Sequence, residues 1–262
     1  MAAFHAVSYR AGDGTEPVRD FLDLLDDEVA AVLGQQLDRL NMLSDEIPHL
    51  PFPHTSQVDG ELRELRCHYG RQLFRVLYRR SDRLLVLLHI FSKRTAKISA
   101  SDIALAHERW DDFKARMDAD PRTPPRPAGH DAPCPSVRRT ANLADEVTAM
   151  AKNVSPIGTS VGEDISRRRA RSTKYQDTQD RLRPFEEIAR MVIMRRAQLG
   201  LTQQELADRM DTTKSVISRI ESGQHRSGTD TLRRLAEALD GHAVIGFEFD
   251  SGRPSQSDLV RL

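Results

Sequence analysis

Cysteine is nearly missing from this 262-residue chain: Cys67 and Cys134 lie far apart, and Cys67 belongs to an apparent strand. That leaves no disulfide framework and no paired-cysteine metal site, and it fits a reducing cytoplasm. Long apolar runs are missing too. The longest, Leu84 to Leu88, is far too short to cross a bilayer, and the N-terminus shows no apolar core behind a basic start. A soluble cytoplasmic protein with no membrane contact is expected. The sequence contains no GxxxxGK[ST] phosphate loop, no HExxH and no GxSxG, and His49, His54 and His68 share no ligand spacing. Nucleotide hydrolysis and metal catalysis therefore lack support, and neither cofactor nor metal is expected. Gly12 and Gly14 read as a turn.

Net charge is also absent, with 39 basic residues against 39 acidic ones, but the zero hides local imbalance. Residues 1–62 hold three basic residues (Arg10, Arg19, Arg39) against twelve acidic ones. From Arg63 to Lys97 the sign reverses: ten basic residues are opposed only by Glu64 and Asp82. A patch of that kind expects phosphate.

Pattern along the chain divides it into three parts. Val7 to Arg10 can be a strand, Pro17 opens an amphipathic helical stretch through Leu40, and a loop rich in proline and histidine follows. Three strand candidates come next, ELRELRC, RQLFRVLYR and RLLVLLHIF, joined at hairpin length, then a helix over Ser99 to Met117. An antiparallel meander with helices on one face is the simplest closure. The first domain is expected to span 1–120. Six prolines in sixteen residues then mark a linker, and the chain stays polar and basic through RRRAR at Arg167 to Arg171. Residues 121–184 are expected to be a linker and antitoxin N-terminal segment, of which 137–183 is disordered or folds on a partner, with RRRAR an exposed flexible run. Pro184 is expected to start a helix, and 185–262 to form a separate all-α bundle ending in a strand, AVIGFEFD, with one apolar face awaiting a partner. The fold class is α+β.

The most informative stretch runs from Leu199 to Gly223. Thr202 and Glu205 form a capping-box pattern, with Leu206, Ala207 and Met210 behind it. Thr213 can cap a second helix whose Val216, Ile217 and Ile220 point inward, leaving Lys214, Ser215, Ser218 and Arg219 outward together. Such a helix fits a major groove. Thr229 is expected to cap a further helix. The stretch resembles the Xre/Cro type of helix-turn-helix over about the last quarter of the chain, with Gln203, Glu205, Leu206, Ala207, Ser218, Ile220, Glu221 and Gly223 in pattern. Asp211 replaces the usual turn glycine and also tolerates the left-handed conformation. The resemblance implies operator DNA as partner: Lys214, Ser215 and Arg219 for bases, Gln203, Thr213 and Ser218 for phosphates, in a homodimer through the C-terminal domain.

The basic strands, with HIFSKRT from His89 to Thr95 and Asp59–Gly60 before ELR, resemble the RelE-like toxins, closest to the HigB branch or phage-derived Gp49-like group. Members of that family cut messenger RNA in the ribosomal A site, and their antitoxins are often Xre-type DNA binders. The resemblance therefore implies a HigB-type toxin joined to a HigA-type antitoxin. The chemistry needs little from the protein, because RNA carries its own 2′-hydroxyl nucleophile. Arg66, Arg75, Lys93 and Arg94 are the candidates to neutralise the phosphate, and His89 to carry a proton, with Glu64 or a lysine of depressed pKa as the other options. Arg63, Arg71 and Lys97 are candidate RNA-positioning residues. Each has a blander reading: His89 as a packed core histidine, Arg75 as the partner of an internal carboxylate. A covalent join would hold toxin and antitoxin at high effective concentration, so the nuclease is expected to be inhibited in the joined chain. Met150 could be an original start for the second product. The alternative function is a transcriptional repressor whose N-terminal domain binds an effector or partner and cuts nothing.

Overall fold

The computed structural model describes residues 3–93, 97–119, 154–248 and 257–261. Arg94, the proline-rich stretch and Met150 lie outside these residues. The first half is built on strands β1 (His5–Tyr9), β2 (Thr55–Asp59), β3 (Leu62–Tyr69), β4 (Gln72–Ser81) and β5 (Leu84–Ser92). Its helices are α1 (Pro17–Asp23), α2 (Asp27–Asp38) and α3 (Ala100–Ala119). The meander β3–β5 is antiparallel as expected, with hairpin turns that use positive φ at Gly70 and Asp82, and β2 extends it in antiparallel pairing with β3. β2 falls within the stretch read as loop; its polar sequence TSQVD lies at the sheet edge, where half-exposure hides the alternation.

Two features depart from the simple closure. β1 joins β5 in parallel, pairing Val7 with Val86, because α1, α2 and three strands separate them in sequence. Helices cover both faces of the sheet rather than one. On one face α1 and α2 bury Val18, Leu22, Val29, Leu33 and Leu37 against Leu65, Val76 and Leu87. On the other, Ala106, Trp110 and Phe113 of α3 stand four and three residues apart, one helix stripe, and pack on Leu62, Leu77, Val86 and Leu88.

The second half begins with β6 (Ile157–Ser160), which adds to the free edge of β1 and completes a six-stranded sheet. Helices α4 (Val161–Arg171), α5 (Thr173–Gln198), α6 (Gln203–Arg209), α7 (Lys214–Glu221) and α8 (Thr229–Ala238) follow, then a hairpin of β7 (Val244–Glu248) and β8 (Ser257–Arg261). Four expectations change here. Residues 157–183 are folded, so disorder does not extend over them. α5 starts at Thr173 and carries Pro184 inside it, although an interior proline costs about 3 kcal/mol. Packing explains the override, since Tyr175 and Leu182 on the added turns are buried. The RRRAR run is ordered in α4, where Arg167 and Arg168 pair with Asp164 of their own helix and with Asp23 of the first half. The strand partner of the C-terminal tail is β8 of the same chain. α8 is capped by Gly228, with Thr229 its first helical residue.

Docking of α5 on α2 joins the halves. Val161 and Ile193 from the second half enter the core of the first. The Tyr175 hydroxyl reaches α2 at Gly34, where a β-carbon would stand 2.7 Å from it. Arg39 donates to both carboxylate oxygens of Glu186, at 2.8 and 2.5 Å, wholly inside the interface. Arg190 reaches Asp38 at 2.9 Å. The acidic opening segment thus finds much of its counter-charge in α4 and α5. Gly34→Val is expected to lower the stability of the full chain by about 1–3 kcal/mol through overpacking against Tyr175, read from the denaturant midpoint.

Candidate nucleic-acid interfaces

On the α3 side of the sheet, the end beyond the N-terminus of that helix carries the basic cluster. In the register of β3, β4 and β5, Arg66 stands opposite Arg75 and Arg75 opposite Phe91. Like charges placed directly opposite repel. Glu64 relieves this, because alternation along β3 puts it on the same face as Arg66. Arg66 donates to Glu64 Oε1 through Nε at 2.9 Å and Nη2 at 2.7 Å, and Ser56 Oγ donates to the same oxygen at 2.7 Å. Arg75 Nε lies 2.9 Å from Glu64 Oε2, but neither atom makes a well-aligned hydrogen bond, although both are buried. Arg75 Nη1 donates to the Phe74 carbonyl. Lys93 sits at the end of β5, with its backbone N–H on the Leu73 carbonyl at 2.8 Å.

Electrostatics tie these groups into one site. Burial raises the carboxyl of Glu64, but the hydrogen bonds from Ser56 and Arg66 and the charges of Arg66 and Arg75 outweigh it, so its pKa falls below the usual range. Partial burial and the guanidinium of Arg75 lower Lys93. Burial first, partly offset by Glu64, lowers Arg75. Three cations therefore share one carboxylate, which leaves a formal excess of positive charge and one buried guanidinium donor, Arg75 Nε, without an aligned acceptor. This is the arrangement for an oxyanion with several oxygens.

The other candidates fall differently. His89 is on the same face, but Nε2 meets Asp102 at 3.0 Å and Nδ1 faces Arg109 at 3.3 Å. Arginine can only donate, so Nδ1 accepts and Nε2–H donates to Asp102. Burial lowers its pKa, with Asp102 opposing. Both ring nitrogens are engaged in anchoring α3, and the packed-histidine reading is the one the geometry supports. Arg63 lies on the opposite face, beside Tyr78, and does not join the cluster. Arg71 is exposed in the β3–β4 turn, and Lys97 is exposed just before α3. Arg94 lies outside the described residues.

In the second half, α6 and α7 share a core of Val192, Leu206, Ala207, Met210, Ile217, Ile220 and Leu235. The capping box forms as expected, Thr202 N–H donating to Glu205 at 2.7 Å and Glu205 N–H to Thr202 Oγ1 at 3.2 Å. Asp211 takes φ of 47° in the turn, the left-handed conformation a glycine usually supplies. Thr213 stands at the N-cap of α7 without a side-chain cap bond. Thr213, Lys214, Ser215, Ser218 and Arg219 are all exposed on one side. Gln203 is the correction: only 3% exposed, it donates to Glu221 Oε2 at 2.7 Å and braces the bundle instead of facing a phosphate.

Glu221 stands in the sequence pattern, but its role as a buried brace between the halves is not read there. It is fully buried and accepts from Arg196 at 2.6 and 3.0 Å, from Gln203, and from His54 of the first half at 2.8 Å. These donors, with the charge of Arg196, hold its pKa at about 2 against the burial that would raise it. A signal existed: Ile217, Ile220 and Glu221 follow helical i, i+3, i+4 spacing, so the carboxylate falls on the inward stripe.

Residues 20–111 match the family of phage derived protein Gp49-like, and residues 192–244 match the helix-turn-helix family. The chain carries a Gp49-like domain followed by a helix-turn-helix domain. Comparison with curated proteins gave no match. The Gp49-like match contains Glu64, Arg66, Arg75 and Lys93, and the helix-turn-helix match contains the whole exposed face of α7. DNA binding belongs to the second domain, and a toxin-like module to the first. Among the described residues no helix is long and apolar enough to cross a membrane. Arg219→Ala is expected to weaken operator binding by about 1–3 kcal/mol if its fork grips a guanine, measured by titration of operator DNA at fixed salt.

Proposed function

We propose that the chain is a type II toxin and antitoxin on one polypeptide. The Gp49-like half, of HigB type, is a metal-independent endoribonuclease that cuts messenger RNA at the ribosome in the cytoplasm. The helix-turn-helix half, of HigA type, restrains it and, as a homodimer, represses its own operon. The toxin domain is assigned 1–120, the connecting and antitoxin N-terminal segment 121–184, and the DNA-binding domain 185–262.

The observation that carries this reading is the convergence of Arg66, Arg75 and Lys93 around the single carboxylate of Glu64. In that site the phosphate displaces part of the Glu64 contact and takes the guanidinium forks of Arg66 and Arg75. Negative charge growing on the phosphoryl oxygens during attack by the 2′-oxygen is then met by fixed donors. The 2′-oxygen passes its proton to water and bonds to phosphorus, the bond from phosphorus to the 5′-oxygen breaks to leave a 2′,3′-cyclic phosphate, and the 5′-oxygen gains a proton. Lys93, lowered by burial and by Arg75, is placed to carry it, in the role that His89 is too engaged to fill. Arg71 and Lys97 flank the strand of RNA.

Expressing 1–120 in a bacterium, with circular dichroism on the purified fragment to establish folding, tests the reading. Growth arrest with cleaved messenger RNA is expected. A folded, harmless fragment that leaves RNA intact would favour the second reading, a repressor with a partner-binding domain. That reading draws on Glu64 already engaging both guanidinium groups.

A further inference from the structure

The large apolar side chains that stand exposed among the described residues include Phe52, 60% exposed, and Leu73, 45% exposed, and both border the basic cluster. The Arg66 guanidinium lies over one face of the Phe52 ring, 5.0 Å from its centroid. Leu73 is two residues before Arg75 on the same strand face, and its carbonyl holds the Lys93 backbone. The exposure of Phe52 does not come from a loose loop. The Phe52 carbonyl accepts from Arg196 at 3.2 Å, the His54 N–H donates to the Pro51 carbonyl at 3.0 Å, and the His54 ring is fixed on Glu221. Thr55 Oγ1 donates to the Leu50 carbonyl at 2.6 Å. The backbone is tied down on both sides of a ring that is left in water.

We propose that Phe52 is a stacking platform for an unpaired base of single-stranded RNA, next to the phosphate held by Arg66 and Arg75, with Leu73 closing the other rim. This rests on the RNA reading of the cluster. Binding of single strands combines a cationic track for the backbone with aromatic faces for the bases, and stacking tolerates any base because each has a π-face. The guanidinium occupies one side of the Phe52 ring and fixes its tilt, which leaves the other side for a base. A base inside a duplex cannot reach such a platform, so the site selects single strands without selecting a sequence.

The test uses the full chain and a short, fully 2′-O-methylated single-stranded oligoribonucleotide that cannot be cleaved, with affinity read by fluorescence anisotropy over a salt series. Phe52→Ala is expected to weaken binding about ten-fold with the salt slope unchanged, and Phe52→Trp to restore it. Arg75→Ala is expected to weaken binding and to reduce the slope by about one. Wild-type affinity in Phe52→Ala beside a weakened Arg75→Ala overturns the platform and leaves the cationic site standing. Equal loss in Phe52→Ala and Phe52→Trp assigns Phe52 to loop packing and overturns the platform too. A matched duplex binding as tightly as the single strand does the same. No binding by the wild-type chain overturns the platform in the joined chain, and binding of which none is lost in Arg75→Ala removes the RNA reading of the cluster itself.

Discussion

Arg75→Ala in the released Gp49-like half is expected to lower RNA cleavage by about 100-fold or more, the usual cost of removing one fixed donor from a developing oxyanion. The substitution leaves Glu64 with Arg66 and Ser56, so the domain keeps its fold, and unchanged thermal unfolding separates chemistry from collapse. Glu64→Gln sharpens the point, because it removes a charge that competes with phosphate for two guanidinium groups. RNA binding is expected to tighten, with a steeper dependence on salt, since the local excess of positive charge grows. Cleavage with retained full rate in Arg75→Ala, or binding weakened by Glu64→Gln, would mean that the cluster is a structural ion pair and nothing more.

Glu221→Ala should be the most destabilising single change in the second half. Arg196 is 1% exposed, and stripping its partner leaves a buried, uncompensated charge at a cost of about 3–5 kcal/mol. Gln203 and His54 lose their acceptor in the same step. Because His54 belongs to the first half and Glu221 ends α7, operator binding and docking of the halves are expected to fall together. Replacing both ions, Arg196→Met with Glu221→Leu, should recover much of the loss, which distinguishes an unpaired charge from a general packing defect. Acid acts on the same network. Glu221 has its folded pKa depressed to about 2, so its stabilisation is present above the ordinary carboxylate range and is lost as pH falls from there toward 2. Burial and the neighbouring Arg39, His54, His225 and Arg75 push His68 down to about 4. The unfolded chain therefore binds that proton first, and stability falls between the ordinary histidine range and pH 4. Unfolding midpoints across pH 7 to 3 should show the His68 loss before the Glu221 loss.

The helix-turn-helix was legible because its signals are local. Capping by Thr202 and Glu205, the inward stripe of Ile217 and Ile220, and a left-handed Asp211 all act within one or two turns of chain. The segment 157–171 was not read, although Ser160 and Glu163 form a capping box that its sequence displays. Its apolar pattern is only Val161 and Ile165, one turn apart among polar and arginine residues, and what they pack on, the core of the first half, lies far away in sequence, as do Asp23 and the edge of β1. Pro184 misled for a related reason: a local rule for helix starts gave way to burial of Tyr175 and Leu182. His89 had the right pKa class and stood on the right face, but Asp102 and Arg109 lie 13 and 20 residues away, and no pattern in its own strand announces them.

A hairpin-length join between two strand runs was enough, by itself, to place Arg66 and Arg75 on adjacent strands, and helical spacing was enough to set Lys214, Ser215, Ser218 and Arg219 outward together. Only the packed molecule decided which charges meet: that Glu64 sits between two arginines, that Gln203 turns inward, and that Glu221 binds both halves at once. The reason is range. Periodicity follows from backbone geometry and survives in any window of the chain, whereas the partner of a charge is chosen by strand register and helix docking between residues far apart in sequence.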